Sequence, residues 1–341
     1  MTTGESNRYP RRRFCCLMLL AALLLIPVVA TQAAEQKLRK PDQVVEYKKA
    51  GDAVLHLHVF NPPGHKASDK TPAIVFFFGG GWVGGSPSQF YGQGAYLASR
   101  GMVAISAEYR TRKSSGTTPQ ECVKDGKSAV RWVRSHAVEL GIDPDRLAAG
   151  GSSAGGHVAA ATATLKGFNE DGEDTKTSCR PNALVLFNPV FDNGPQGYGY
   201  DRVQDYWKEF SPIENINANT PPTTVFLGTK DKLIPVDTAK RYQKLMQDAG
   251  GRCDLHLYEG EEHGFFNNAK FTETLIEADK FLTSLGYLKG EPTGKTRREA
   301  IRSLPQPIRR CQKFQPITRK HETHPHCPAA RASAGEQRGG Q

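Results

Sequence analysis

Residues 146–165 read RLAAGGSSAGGHVAAATATL, a short apolar run joined to an alanine-rich stretch through four glycines and two adjacent serines. The run RLAAGG predicts a strand and SSAGGHVAAATATL a helix. A chain that turns from strand to helix without a loop brings the two elements into close approach. The residues two before and two after the apex must then be small, and the apex side chain is pushed out above the sheet in strained backbone. Gly151-Ser152-Ser153-Ala154-Gly155 meets this G-x-S-x-G requirement with Ser153 at the apex, whereas centring on Ser152 puts Ala154 where the second glycine belongs. Ser153 is the candidate nucleophile, and Ser152 is expected to pack behind it.

The flanking sequence supplies the sheet that such a turn needs. VVEYKK and AVLHLHVF, separated by AGD, predict an opening hairpin. AIVFFF (73–78), MVAISAE (102–108), ALVLFNPV (183–190), TTVFLG (223–228) and CDLHLY (253–258) predict further strands. Helical patterns alternate with them over 119–140, 236–250 and 270–285, the first with Cys122, Gly126, Ala129, Val130, Val133 and Ala137 on one face. Strand–helix alternation of this kind implies an α/β class with a mostly parallel sheet covered by helices on both faces. The pattern stops after Gly286, which sets a domain edge near 290.

Chemistry in such sheets sits at the carboxyl ends of the strands. TKDKLIP after the strand at 223–228 supplies Asp231, and EGEEHGFF after the strand at 253–258 supplies His263. These types give a serine the base it needs and the base its orienting carboxylate. FFFGGGW ends the strand at 73–78 with Gly79, Gly80 and Gly81. Glycine lets backbone N–H groups face a reacting oxygen, so Gly80, Gly81 and the N–H of Ala154 are the candidate oxyanion donors. Residues 191–212 lie where a short lid would insert and carry many aromatics. Tyr206 and Trp207, with Trp82 beside the glycines, are the candidate substrate contacts.

FFFGGGW, SAEYR, GIDPDRLAAGGSSAGGH, GTKDKLIP and EGEEHGFF together resemble the α/β-hydrolase esterases of the hormone-sensitive-lipase and feruloyl or acetyl-xylan esterase groups, over about residues 43–286. The order Ser153, Asp231, His263 matches those enzymes. The resemblance implies an α/β-hydrolase fold with a short lid and no large N-terminal cap, and a serine carboxylesterase acting on short-chain or carbohydrate-linked (acetyl or feruloyl) esters. It implies no cofactor and no metal. One departure is Phe78, where the family usually carries His. Two other readings compete. GGGWVG (79–84) with Glu108 approaches a dinucleotide-binding fingerprint, as in an oxidoreductase. A non-catalytic carbohydrate-binding relative would keep the fold without the chemistry.

The ends of the chain account for its charge. Of the net +10, residues 289–341 carry twelve Lys/Arg against four Asp/Glu, and residues 34–288 are near neutral. Basicity therefore indicates no nucleic-acid partner for the body. Arg8 and Arg11 to Arg13, followed by FCCLMLLAALLLIPVVA and small residues, predict a signal peptide over 1–33 and export by the general or the twin-arginine route. Cleavage would leave no membrane span. The catalytic domain is then 34–290, followed by a basic, disordered tail over 291–341. Three cysteines in the body make no disulfide scaffold, and Cys122 is expected to be a buried thiol. Oligomeric state is open.

Overall fold

Alternating burial along the first two strands forms the hairpin: β1 (Gln43–Ala50) and β2 (Ala53–Phe60) pair antiparallel across Gly51 and Asp52. The computed structural model describes residues 39–293. By compactness the chain divides into Met1–Leu304 and Pro305–Gln341, and every described residue belongs to the first unit. The signal-peptide reading of 1–33, and the tail reading beyond Thr293, lie outside the described residues.

After the hairpin come β3 (Thr71–Phe77), β4 (Val103–Ala107), β5 (Ile142–Ser152), β6 (Ala183–Phe187), β7 (Thr223–Gly228) and β8 (Cys253–Tyr258). They form one eight-stranded sheet in the order β1-β2-β4-β3-β5-β6-β7-β8. β2 pairs antiparallel with β4, and every pairing from β4 to β8 is parallel. This is the mostly parallel sheet expected.

Both faces are covered, so the central strands are apolar throughout. Ala73, Val75 and Phe77 of β3 join one core with α3 (Pro119–Ser135), α4 (Ala154–Thr164) and α6 (Val236–Asp248). Ile74 and Phe76 join the other with α1 (Tyr91–Ser99) and α7 (Phe271–Ser284). Two four-residue helices, α2 (Arg112–Ser115) and α5 (Trp207–Phe210), lie in the connections. Among the described residues no helix is long and apolar enough to cross a membrane.

Three differences from the sequence reading have physical causes. Helix α1 was not expected: YGQGAYLAS has two glycines and no polar face, because seven of its nine residues are buried. α3 begins at Pro119 behind a Thr118–Glu121 capping box, but ends at Ser135 rather than 140, and β5 has already begun at Ile142. β6 stops at Phe187 because Asn188 takes φ 36° and Pro189 follows. Asp125, fully buried on α3, is held by Arg110 and by Lys48 of β1 (2.7 Å), which ties the hairpin to this helix.

Candidate active site

β5 passes into α4 at Ser153, whose φ 51° and ψ −121° are costly for a residue with a Cβ. The turn is as tight as the motif requires. A Cβ on Gly151 would lie 2.3 Å from the Gly155 carbonyl oxygen, and one on Gly155 would lie 2.2 Å from the carbonyl oxygens of Phe77 and Phe78. The strain is held by packing and by hydrogen bonds on both sides. Ser153 N–H donates to Phe187 O (3.1 Å), and Ser153 O accepts from the N–H groups of His157 (3.0 Å) and Val190 (3.2 Å).

Asp231 and His263 reach the same end of the sheet from the loops after β7 and β8. His263 Nδ1 lies 2.7 Å from Asp231 Oδ2, and the Asp231 side chain is fully buried. Asp231 Oδ1 accepts from the N–H groups of Leu233 (2.8 Å) and Ile234 (3.0 Å), which fixes the carboxylate. With Nδ1 as the donor to Asp231, Nε2 keeps its lone pair toward the cleft, the tautomer a general base needs. Nε2 is met by Asn188 Nδ2 at 3.3 Å, while Asn188 Oδ1 accepts from Gly264 N–H (3.2 Å). Among the described residues no hydrogen bond joins Ser153 Oγ to His263; the two side chains border the same cleft. Asn188 escaped the sequence reading, which placed it inside a strand.

The glycine turn after β3 aims its donors by elimination. Gly79 N–H is taken by Gln89 Oε1 (2.7 Å). Gly80 O accepts from Val83 N–H (3.0 Å) and Gly84 N–H (3.3 Å), so the opposite end of that planar unit, Gly81 N–H, points away from them. The N–H groups of Gly80, Gly81 and Ala154 have no acceptor among the described residues, the last because it opens a helix. Gly80, Gly81 and Ser153 line one cleft of about 360 Å³ with Val83, Asn188, Tyr198, Leu233, His263 and Phe266. In place of the family's histidine, Phe78 braces the turn in two ways. Its carbonyl accepts from Tyr109 OH (2.5 Å), and its ring stacks on Tyr109 at 4.1 Å.

None of the three expected substrate contacts, Trp82, Tyr206 and Trp207, is among the residues that line the cleft. Trp82, at 1% exposure, packs under the cleft against His157 (5.2 Å between ring centroids) and Phe210. Tyr206 packs edge-on to Phe210, and Trp207 lies against Gly194; neither lines the cleft. Their apolar area buries the lid segment against the body, and Tyr198 is the lid aromatic that reaches the cleft. Arg202, from the same segment, donates to Gly81 O (2.7 Å) and lies over the rings of Trp82 and Tyr198. His157 on α4 is fully buried, bonded to Phe210 O (2.9 Å), and burial lowers it to about 4.

The dinucleotide reading fails on geometry. The glycine turn opens no helix; a short 3-10 turn (Pro87–Phe90) precedes α1. Glu108 is committed to His56 (3.0 Å) and His58 (3.1 Å) of β2. Among the described residues no group of three or more His, Cys, Asp or Glu could hold a metal ion.

Comparison with known proteins agrees with this architecture. A family model described as BD-FAE matches residues 57–193, and one described as the prolyl oligopeptidase family matches residues 182–285. The chain is 32% identical over 261 residues to carboxylesterase NlhH of Mycobacterium tuberculosis, covering 71% of this chain and 80% of that protein. It is 28% identical to an acetylxylan esterase of Xylanibacter ruminicola, covering 67% of this chain and 47% of the relative. It spans 45% to 63% of the length of several other curated relatives. The solved apo form of Thermogutta terrifontis esterase 2 superposes with a TM-score of 0.70 at 42% identity, covering 73% of this chain and 96% of the other. With carboxylesterase NlhH matched over most of its length and the same fold in an esterase of 42% identity, the chain belongs to the α/β-hydrolase-fold carboxylic ester hydrolases.

Proposed function

We propose that this protein is an exported serine carboxylesterase that hydrolyses short-chain esters, including those carried on carbohydrate, through Ser153, His263 and Asp231. The observation that carries the reading is one cleft holding an apex serine, a histidine whose Nδ1 lies 2.7 Å from a buried carboxylate, and backbone N–H groups left without acceptors.

Ser153 Oγ attacks the ester carbonyl as His263 Nε2 takes its proton. Asp231 holds the imidazole tautomer and steadies the positive charge that forms. The oxyanion is received by the N–H groups of Gly80, Gly81 and Ala154, each donor contributing about 3 kcal/mol to the transition state. His263 returns the proton to the leaving alkoxide, and water then resolves the acyl-enzyme by the same steps. No step requires a metal or a nucleotide. Leu233, Val83 and Phe266 give the cleft apolar walls suited to a small acyl chain. Solved forms of the Thermogutta esterase carry propionate and butyrate, and a relative is an acetylxylan esterase, which supports the short-acyl and carbohydrate-ester classes. Export rests on the pattern over residues 1–33.

A panel of p-nitrophenyl esters from acetate to decanoate, beside acetylated xylan and methyl ferulate, tests the reading. Short acyl esters should be turned over in the presence of a chelator, and Ser153→Ala should lower kcat by several orders of magnitude. Activity that disappears with chelation and returns with zinc, or a Ser153→Ala protein as active as wild type, would sink it. N-terminal sequencing of the periplasmic or secreted protein tests the export proposal; an intact Met1 there overturns cleavage.

A further inference from the structure

Gln89 has no part in the reaction just described, yet the three loops that carry it converge on this residue. Its Oε1 accepts from Gly79 N–H (2.7 Å) and from Ser152 Oγ (2.7 Å). Its backbone carbonyl accepts from Asn267 Nδ2 (3.2 Å), four residues beyond His263, and Asn267 Oδ1 accepts from Gln93 Nε2 (2.7 Å) on α1. Gln89 is itself well anchored. Its turn is held by Ser106 Oγ on Pro87 O (2.7 Å), and the next residue, Phe90, is buried and stacked on Phe76 at 4.6 Å.

We infer that Gln89 is a positioning residue that sets the oxyanion donors relative to Ser153, with Ser152 acting through it. The inference rests on the proposed esterase mechanism. Phe78 C=O and Gly79 N–H belong to one planar peptide unit. Tyr109 OH clamps its oxygen and Gln89 clamps its nitrogen end, so the unit is held from both sides. Gly80 N–H and Gly81 N–H hang from the next two units. A rotation of the clamped unit therefore swings the oxyanion donors directly. Ser152 immediately precedes the apex, so its bond to Gln89 makes one acceptor atom measure the elbow and the glycine turn against each other. This gives the paired serines different tasks: both border the cleft, as Gln89 does, but the Ser152 hydroxyl is spent on Gln89. An error of an ångström in donor placement is enough to cost rate without altering how the ground-state ester binds.

The test compares wild type, Gln89→Met, Ser152→Ala and the double variant. Active sites are titrated to completion with paraoxon, kcat and KM are measured on p-nitrophenyl butyrate, and the affinity of an alkyl trifluoromethyl ketone, whose serine adduct carries the oxyanion, is determined. Gln89→Met should lower kcat per titrated site by about 10- to 100-fold, less than outright loss of a donor, with KM within about twofold. The ketone should weaken by the same factor. Ser152→Ala should show a smaller parallel loss, and the double variant should be no worse than Gln89→Met alone. A merely structural role would reduce the titratable fraction and leave kcat per site and ketone affinity at wild-type values; that result overturns the inference. If Gln89→Met does not fold, Ser152→Ala decides: unchanged kcat and ketone affinity overturn it. A wild-type protein that turns over no ester and takes no label on Ser153 defeats the esterase reading instead.

Discussion

His157 should make the stability of this fold depend on pH between about 6.5 and 4. The imidazole sits in the first turns of α4 with no exposure, between Trp82 and Phe210, and bonds to Phe210 O at 2.9 Å. Burial lowers it from 6.5 to about 4; the Phe210 carbonyl and Asn193 favour the proton but do not outweigh desolvation. The sign follows from proton counts. Between the two values the unfolded chain binds a proton at this residue and the folded chain does not, so stability rises with pH there. The contribution is fully present above 6.5 and is lost as pH falls toward 4. The interval corresponds to about 3 kcal/mol, a sizeable part of a typical total of about 5–15 kcal/mol. Urea unfolding of wild type and His157→Phe at pH 7.5, 6, 5 and 4.3 isolates the effect. Phe keeps the ring packing without the titration, and titrations common to both proteins cancel in the difference. Wild type should lose about 2–3 kcal/mol relative to the variant over this range. A difference constant to within about 0.5 kcal/mol would refute the reasoning.

Two further groups give predictions of the same kind. Glu108 is raised by burial but lowered more by His58, the His56 ring and the His56 N–H, and falls to about 2; Glu108→Gln should therefore destabilise at pH 7, with the difference shrinking as pH falls through 4.5 toward 2, read by the same unfolding series. Lys127 caps the end of α4 through Leu165 O (2.7 Å) and Gly167 O, and burial brings it to about 8; wild type should gain stability relative to Lys127→Met as pH rises from 8 to 10, because only the unfolded chain keeps the proton, and a difference flat over that range would contradict it.

What could be read from the sequence was whatever a local rule dictates. The apex position of Ser153 is legible because close approach of strand and helix admits only glycine at 151 and 155, and that steric rule is visible in five consecutive letters. The meeting of Asp231 and His263 is legible because parallel strands deliver their loops to one edge. Helix α1 is not legible because a helix buried nearly all round loses the polar face that marks it. That Trp82, Tyr206 and Trp207 do not line the cleft is not legible, because an aromatic that packs a lid down and one that touches substrate are the same letters.

Gln89 and Asn188 belong to a third case. Each works through side-chain hydrogen bonds to residues 10 to 76 positions away, and no spacing rule reports such partners. Both lie just past features that were legible, Asn188 at the end of β6 and Gln89 in the turn after the glycines. The part of an active site that sequence conveys poorly is therefore its alignment rather than its chemistry. Reacting groups must be of particular types at strand ends, whereas the groups that aim them need only an acceptor or donor at the right place in space. For this chain the prime example is Ser152: its place behind Ser153 follows from the motif, but no letter shows that its hydroxyl reaches Gln89 and, through it, the glycine turn.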